Sequence, residues 1–422
     1  MDTVAEYWVF DWLRENSITS FEQAASFLPK YRVLDSLQQQ AADALNRPSN
    51  GIPPARKSIV AGGGLDLTGG RMVCPSPLCL RRQVDRLLKH VWHYFDTVIA
   101  DDVLTPLLAD EWHGSRRELA NEVLPQLTPL LYLNEIGATH LVDFRPKNRC
   151  AEYWEENTRL EGLSALLDTK DELIQRLIQG ARFSRQQLNG QSFYKMEFID
   201  AEVETRIPVG KMNEPQAKLY LASEAFAEYM VDLVADVSVA REYDLPLGSA
   251  QAFPAQMLRL SRPASVGDVI FQLELPVLEG LTPAELIAIR QTHVEYFENF
   301  RNALRRAARE RLKLESNRSS MQIADEIRTD IVEPELAKIR TTLASAEQLI
   351  AKKTAVSIFL GVLATTCGIL SGLPPAVAVS AGAAATLSGV GPAAARHLDV
   401  QNELSLSDMY FLWKAVGHSH AS

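Results

Sequence analysis

Two cysteines and two histidines in one short stretch of the sequence are of the residue types that bind zinc. Cys74 and Cys79 are separated by four residues, and His90 and His93 follow with two residues between them. Thiolate and imidazole groups are the usual ligands of structural zinc, although paired cysteines more often have two residues between them. Zinc is therefore the one cofactor that the sequence suggests. The alternative is that the cysteines lie in a loop and that the histidines share a partly buried helix face with Trp92.

A run of glycines at residues 62–71 has the composition of a phosphate-binding loop. Such a loop needs a Lys followed by Ser or Thr after its last glycine, and this pair is missing. We also expect no hydrophobic strand immediately before the run. The sequence therefore predicts a flexible loop rather than a nucleotide site.

No motif of an enzyme active site stands out in the sequence. The patterns Gly-x-Ser-x-Gly and His-Glu-x-x-His are absent. Asp200, Glu202 and Glu204 form a cluster of carboxylates, but no Lys follows them at the two-residue spacing of nuclease sites. We expect these carboxylates to line a solvated strand face and the protein to be non-enzymatic, with an enzyme of unfamiliar site as an open alternative.

Residues 354–395 form a stretch without a single charge, between Lys353 and Arg396. Its first arm, residues 354–373, has about 20 residues, which at about 1.5 Å per residue would measure about 30 Å as a helix, the thickness of a bilayer core. The side chains that we predict to meet the lipid are Ile358, Phe359, Leu360, Val362, Leu363, Ile369 and Leu370.

Pro374 and Pro375 divide the stretch into two arms, and the second arm consists mostly of Ala, Gly, Ser and Val. We predict a helical hairpin, with Lys352, Lys353 and Arg396 at the lipid headgroups on the cytosolic side. Three interpretations stay open: a resident membrane hairpin, a hairpin that is shielded until a trigger inserts it, and a core hairpin that never meets lipid.

A basic run precedes this stretch, and a solvated helix face is its simplest explanation. The alternative is contact with anionic lipid headgroups or nucleic acid, and the nearby apolar stretch favours lipid. The run consists of Arg301, Arg305, Arg306, Arg309, Arg311 and Lys313.

Composition and charge limit the function classes. Hydrophobic residues make up 46% and charged residues 23% of the chain, as in folded proteins, and the net charge of -10 disfavours general binding to nucleic acid. The N-terminal residues lack the pattern of a signal peptide, and four scattered cysteines fit a reducing cytosol. We expect a cytoplasmic protein that is peripheral to, or inserted in, the inner membrane.

The periodicity of apolar residues predicts a mainly α protein of the α+β class, with a small antiparallel sheet in the middle third. Its strands are expected within residues 138–144, 192–209 and 257–275. The predicted segments are N-terminal helices (1–46), a linker or loop (47–77), an α+β domain (78–280), a long helical hairpin (281–353), the apolar hairpin (354–395) and a C-terminal amphipathic helix (396–422).

The start of the long hairpin has the clearest local signal, because Thr282, Pro283 and Glu285 match a capping box with Pro at the first helical position. We predict a non-enzymatic membrane-associating protein with a sensor region in its first 280 residues, of the kind found in bacterial defence or toxin-like effectors. Its partners would be lipid, another protein, or a second copy of the chain through the long helices. The alternative is a soluble scaffold or regulatory subunit.

Overall fold

The chain folds into two compact units, Met1–Gln272 (unit 1) and Leu273–Ser422 (unit 2). The structure, a computed structural model, describes residues 7–46, 57–62, 65, 67, 76–110, 112–198, 203–210, 212–249, 252–261, 264–273, 275, 282–314, 318–337 and 411–412. Most of these residues are helical, and the rest of the regular structure consists of one parallel and one antiparallel sheet.

Unit 1 alternates helices and strands along the chain. Its helices are α1 Trp8–Glu15, α2 Phe21–Phe27, α3 Tyr31–Asn46, α4 Pro77–Val91, α5 Leu104–Ala109, α6 Arg116–Glu135, α7 Trp154–Leu160, α8 Ser164–Asp168, α9 Lys170–Gln179, α10 Glu214–Glu242, α11 Ala252–Ser261 and α12 Val266–Phe271. Its strands are β1 Ser58–Gly62, β2 Thr97–Asp101, β3 Val142–Arg145, β4 Ala181–Leu188, β5 Gln191–Phe198, β6 Val203–Pro208 and β7 Leu247–Ser249.

The parallel sheet has the strand order β3-β2-β1-β7. Every residue of β1, β2 and β7 is buried, as expected for parallel strands that are covered on both faces. The helix α4 connects β1 to β2, and α5 and α6 connect β2 to β3. These crossovers bring the carboxyl ends of all four strands to one edge of the sheet.

The antiparallel sheet has the order β4-β5-β6. Asn189 and Gly190 join β4 to β5 with positive φ angles of 51° and 81°, which is the geometry of a tight hairpin turn. Met196 and Phe198 of β5 pack into the same core as Phe226 of α10, and this core also contains Val60 of β1. The helix α10 therefore lies against both sheets.

Unit 2 contains α13 Pro283–Thr292, α14 Val294–Leu314 and α15 Ser320–Ile327, which continues as a π-helical turn over Arg328–Val332. A capping box between Thr282 and Glu285 starts α13, which confirms the predicted helix start. The helix ends at Thr292 and is followed by α14, so the first part of the segment predicted as a long hairpin consists of two helices.

Strand prediction was only partly correct. Residues 192–209 do form the antiparallel strands β5 and β6, and 142–145 form a strand that belongs to the parallel sheet. The strand predicted within 257–275 is wrong, because α11 and α12 occupy this part of the chain. Residues 58–62, within the expected linker, form the buried strand β1.

No described helix is both long and apolar enough to cross a bilayer. The predicted apolar hairpin at 354–395 lies outside the described residues. So do the second arm of the long hairpin beyond residue 337 and the C-terminal helix at 396–422, apart from Phe411 and Leu412.

The N-terminal helices are attached to the carboxyl end of β2 through Asp102. The Tyr7 hydroxyl and the Thr105 backbone N–H donate to Asp102 Oδ1 at 2.5 and 3.0 Å, and the Trp8 indole donates to the Thr105 hydroxyl at 2.8 Å. Burial of the Tyr7 hydroxyl, together with the charge of Asp102, raises its pKa well above the usual value of 10.0.

This shift predicts a loss of stability at alkaline pH. Because the folded state favours the neutral phenol, Tyr7 stabilises the fold fully below pH 10, and this contribution is lost as the pH rises through its folded-state pKa. We expect Tyr7→Phe to lower the free energy of unfolding by about 1.5–3 kcal/mol at pH 8, because it removes a hydrogen bond to a charged group. Above pH 10 the wild-type protein itself loses the contribution of Tyr7, so the two proteins should differ less. Urea unfolding of both proteins at pH 8 and above pH 10 measures this. The prediction is contradicted if the difference in free energy of unfolding between variant and wild type stays the same at the higher pH.

Candidate functional site

Five charged side chains meet at the carboxyl edge of the parallel sheet, and together they are called the charged cluster. They come from the end of β2, from the segment after β3 and from α10, and they are Asp101, Lys147, Arg149, Asp232 and Asp236. Three carboxylates and two cations give the cluster a formal charge of minus one.

The innermost members of the cluster are Lys147 and Asp236. The Lys147 ammonium donates to Asp236 Oδ1 at 2.6 Å and to the backbone oxygen of Ala61 at 2.7 Å. The side chains are 0% and 4% exposed, respectively. Lys147 therefore joins the end of β1 to the C-terminal part of α10 in a space that excludes water.

Gly62, the last residue of β1, allows this approach. A Cβ atom at this position would lie 2.1 Å from Asp236 Oδ2 and 3.2 Å from the Leu247 side chain. Any residue other than glycine would thus push the carboxylate of Asp236 away from the end of the strand. The glycine is required here by close packing rather than by an unusual backbone angle.

Arg149 forms the outer part of the cluster. Its guanidinium pairs with Asp101 at one side and, through Nε, with Asp232 Oδ1 at 2.9 Å. Asp101 is nearly inaccessible and also accepts the backbone N–H of Lys147 at 3.0 Å. Arg149 and Asp232 are 23% and 28% exposed, so the cluster reaches solvent at this end.

The cluster lies next to the point where the connections of the sheet change direction. From β1 the chain crosses to β2 and β3 on one side, whereas β7, reached later, pairs with the other side of β1. In open α/β sheets ligands bind outside the carboxyl ends of the two adjacent strands between which the connections change direction. In this sheet those two strands are β1 and β7.

Burial of the Lys147–Asp236 pair is difficult to explain by stability alone. Removing two charges from water costs several kcal/mol per ion, and apolar side chains of similar volume often stabilise a protein as well or better. Charged groups that are buried at the ligand-binding edge of a sheet are therefore candidates for a functional site.

The glycine run at 62–71 begins with the last residue of β1, so the expectation that no hydrophobic strand precedes it was wrong. Ile59, Val60 and Ala61 are fully buried in the centre of the sheet. Apart from Gly62, Leu65 and Leu67, the run lies outside the described residues.

The predicted zinc ligands are only partly placed by the structure. His90 Nδ1 lies 3.2 Å from the backbone oxygen of Phe271, and His93 Nε2 lies 3.1 Å from that of Ile270. A backbone oxygen only accepts hydrogen bonds, so these two nitrogens carry protons and cannot bind a metal in this arrangement. Among the described residues no three or more His, Cys, Asp and Glu side chains are grouped to hold a metal ion.

Cys79 lies partly buried on α4, and Cys74 lies outside the described residues. Zinc binding by Cys74, Cys79, His90 and His93 thus stays a prediction. The carboxylates Asp200 and Glu202 are also outside the described part, while the backbone of Glu204 pairs with Glu197 across β5 and β6.

The predicted membrane side chains from Ile358 to Leu370, and the basic residues Lys352, Lys353 and Arg396, all lie outside the described residues. Protein-family models, curated proteins and solved structures gave no match to this chain. A parallel sheet supports many unrelated functions, so function is argued below from individual side chains.

The sequence contained two signals for the charged cluster that were missed. Asp236 is a charged residue in the apolar segment 229–240 of α10, and Asp101 ends the short apolar run that forms β2. A charge within or directly after a fully buried element is rare unless it is paired.

We predict that the Lys147–Asp236 pair acts as a unit. Replacing Lys147 by Met leaves the carboxylate of Asp236 buried without its cation, and should lower the free energy of unfolding by about 3–5 kcal/mol. The double variant Lys147→Met with Asp236→Asn also removes the unpaired carboxylate and should recover at least half of the lost free energy of unfolding. Urea denaturation measures both. If the single variant loses under about 1 kcal/mol, water reaches the pair and the site is not as enclosed as described.

Proposed function

We propose that unit 1 is a ligand-binding domain and that the carboxyl edge of its parallel sheet binds a small nucleotide-type molecule. The observation that carries this proposal is the position of the charged cluster. It lies at the carboxyl edge of the sheet, near the point between β1 and β7 where the connections change direction, and it reaches solvent through Arg149 and Asp232.

The solvent-facing pair has complementary chemistry for such a ligand. A guanidinium binds phosphate or carboxylate oxygens in a bidentate manner, and a carboxylate accepts hydrogen bonds from sugar hydroxyl or amino groups. Nucleotides carry both kinds of group. Lys147 and Asp236 lie deeper, and their role would be to hold Asp101 and Arg149 in place through the backbone of the segment that follows β3.

Binding assays with ATP, GTP, NAD and S-adenosylmethionine test the proposal. A ligand present at about 100 times its dissociation constant stabilises the folded protein by about 2.7 kcal/mol, so at least one compound should raise the melting temperature. Asp232→Asn and Arg149→Lys should each weaken binding of that compound at least tenfold in calorimetric titration. The first removes the negative charge that accepts hydrogen bonds, and the second removes the planar guanidinium that binds oxygens in a bidentate manner.

The exposed residue Arg185 on β4 provides the matched control, and Arg185→Lys should bind like wild type. Equal affinity of the wild type, Asp232→Asn and Arg149→Lys would show that the ligand binds elsewhere. No shift with any of the four compounds would contradict the nucleotide assignment.

A second candidate function is membrane association through residues 354–395, supported by the absence of charge in this stretch. One structural observation adds to it. Phe411 is fully buried, with its ring 5.1 Å from Phe297 and stacked on Phe300 at 5.7 Å, both in α14. The described residues on either side of the stretch, Leu336 and Phe411, are both buried and both belong to unit 2. A stretch whose two flanking segments belong to one unit favours a hairpin over a single crossing.

Membrane fractionation tests this candidate. We expect the wild-type protein to stay in the membrane fraction after washes with salt and then carbonate, or to release dye from liposomes on a trigger such as low pH. Leu363→Asp with Ile369→Asp should abolish both, because a charge in the bilayer core costs about 2.5–3.5 kcal/mol or more. The control Leu160→Asp replaces an exposed leucine of unit 1.

Complete recovery in the soluble fraction, without dye release at any pH, would exclude the membrane function. If Leu363→Asp with Ile369→Asp instead unfolds the protein by circular dichroism, the stretch belongs to a protein core. That result would favour the soluble scaffold or regulatory subunit.

Ligand binding by unit 1 and membrane association by unit 2 are compatible, since unit 1 would be the sensor and unit 2 the effector.

A further inference from the structure

The helix α14 carries its basic residues on two different faces. Arg301 and Arg311 lie on or beside the packed face, and each is bound by carboxylates. The Arg301 guanidinium pairs with Glu298 at 2.9 Å, and that of Arg311 donates to Asp330 of the π-helical turn at 2.8 Å. These two cations therefore form ion pairs within unit 2.

The opposite face of α14 is exposed and basic. Arg305, Arg306, Arg309 and Lys313 are all exposed, and at 3.6 residues per turn they lie within about a third of the helix circumference. Arg305, Arg309 and Lys313 follow each other at four-residue intervals, in a row about 12 Å long. Arg305, Arg306, Arg309 and Lys313 are together called the basic face.

Within the described part of the chain, Arg305, Arg309 and Lys313 make neither a hydrogen bond nor an ion pair. Like charges four residues apart destabilise a helix by about 0.2–0.5 kcal/mol for each pair. The protein has an excess of acidic residues, 53 against 43 basic ones, so carboxylate partners are not scarce. A basic row that has no partner among the described residues of an acidic protein points to an external anionic partner.

We infer that the basic face of α14 binds the headgroups of an anionic lipid membrane. A flat, multivalent anionic surface can reach all four side chains at once, and basic residues near such a surface each contribute to binding. The face belongs to unit 2, whose α14 also contacts Phe411. In the sequence, the charge-free stretch comes after α15 and before Phe411. The inference therefore rests on the proposed membrane function and assigns a surface to it.

Vesicle flotation with the full-length protein tests the inference. We compare vesicles of phosphatidylcholine with vesicles that contain about 30% phosphatidylglycerol, at low and high salt. Wild-type protein should prefer the anionic vesicles, and high salt should reduce this preference. Arg305→Gln with Arg309→Gln and Lys313→Gln should lower the affinity on the order of 100-fold, at about fivefold for each residue.

A matched triple variant, Arg176→Gln with Arg182→Gln and Arg185→Gln, removes the same charge from exposed positions of unit 1 and should bind anionic vesicles like wild type. Equal losses in the two triple variants would overturn the inference, because net charge would then explain binding. The inference is also overturned if wild-type protein binds no vesicles but binds a DNA or RNA duplex, and the α14 triple variant loses this duplex binding. Nucleic acid would then be the partner.

The variant Leu363→Asp with Ile369→Asp separates this inference from insertion. If the basic face binds lipid, this variant keeps its salt-sensitive binding to anionic vesicles even when it no longer resists carbonate. The inference fails if this variant binds neither kind of vesicle while the α14 triple variant binds anionic vesicles like wild type. The charge-free stretch alone would then be responsible for membrane binding.

Discussion

The ion pair between Lys147 and Asp236 joins three parts of unit 1 that are distant in the sequence: the end of β1, the segment after β3 and the C-terminal part of α10. Asp232 lies one helical turn before Asp236, so a single face of α10 supplies both carboxylates that meet the cations. The same helix carries Phe226 into the core shared with the antiparallel sheet. Displacement of the ion pair would thus change the position of α10 relative to both sheets, and Gly62 is the backbone position that leaves room for it.

In unit 2, charge is used in two ways on one helix. Carboxylates of α14 itself and of the segment after α15 bind the cations of the packed side, where pairing offsets part of the cost of removing them from water. The cations of the exposed side keep their hydration and their long-range field. Such a division gives α14 both a structural and an electrostatic role, and the two depend on different residues.

Elements with a strong local signal were predictable, and elements defined by distant contacts were not. The capping box at Thr282 and the alternation in β5 and β6 depend on neighbouring residues, and both were correct. The strand β1 was missed because a short strand buried on both faces has no alternation and here lies among Gly and Pro. The apolar run at 269–271 was taken for a strand, but a capping box at Ser265 starts a helix there. The charged cluster was missed because Asp101, Lys147 and Asp236 become neighbours only through the sheet topology.

The contacts of Phe411 with Phe297 and Phe300 join two segments of unit 2 that are far apart in the sequence. The chain entropy lost when two distant segments meet grows only with the logarithm of their separation, at about 0.6 kcal/mol for each doubling. A large separation in sequence therefore slows the formation of a contact more than it lowers the final stability. We expect these aromatic contacts to influence how fast unit 2 folds more than how stable it is.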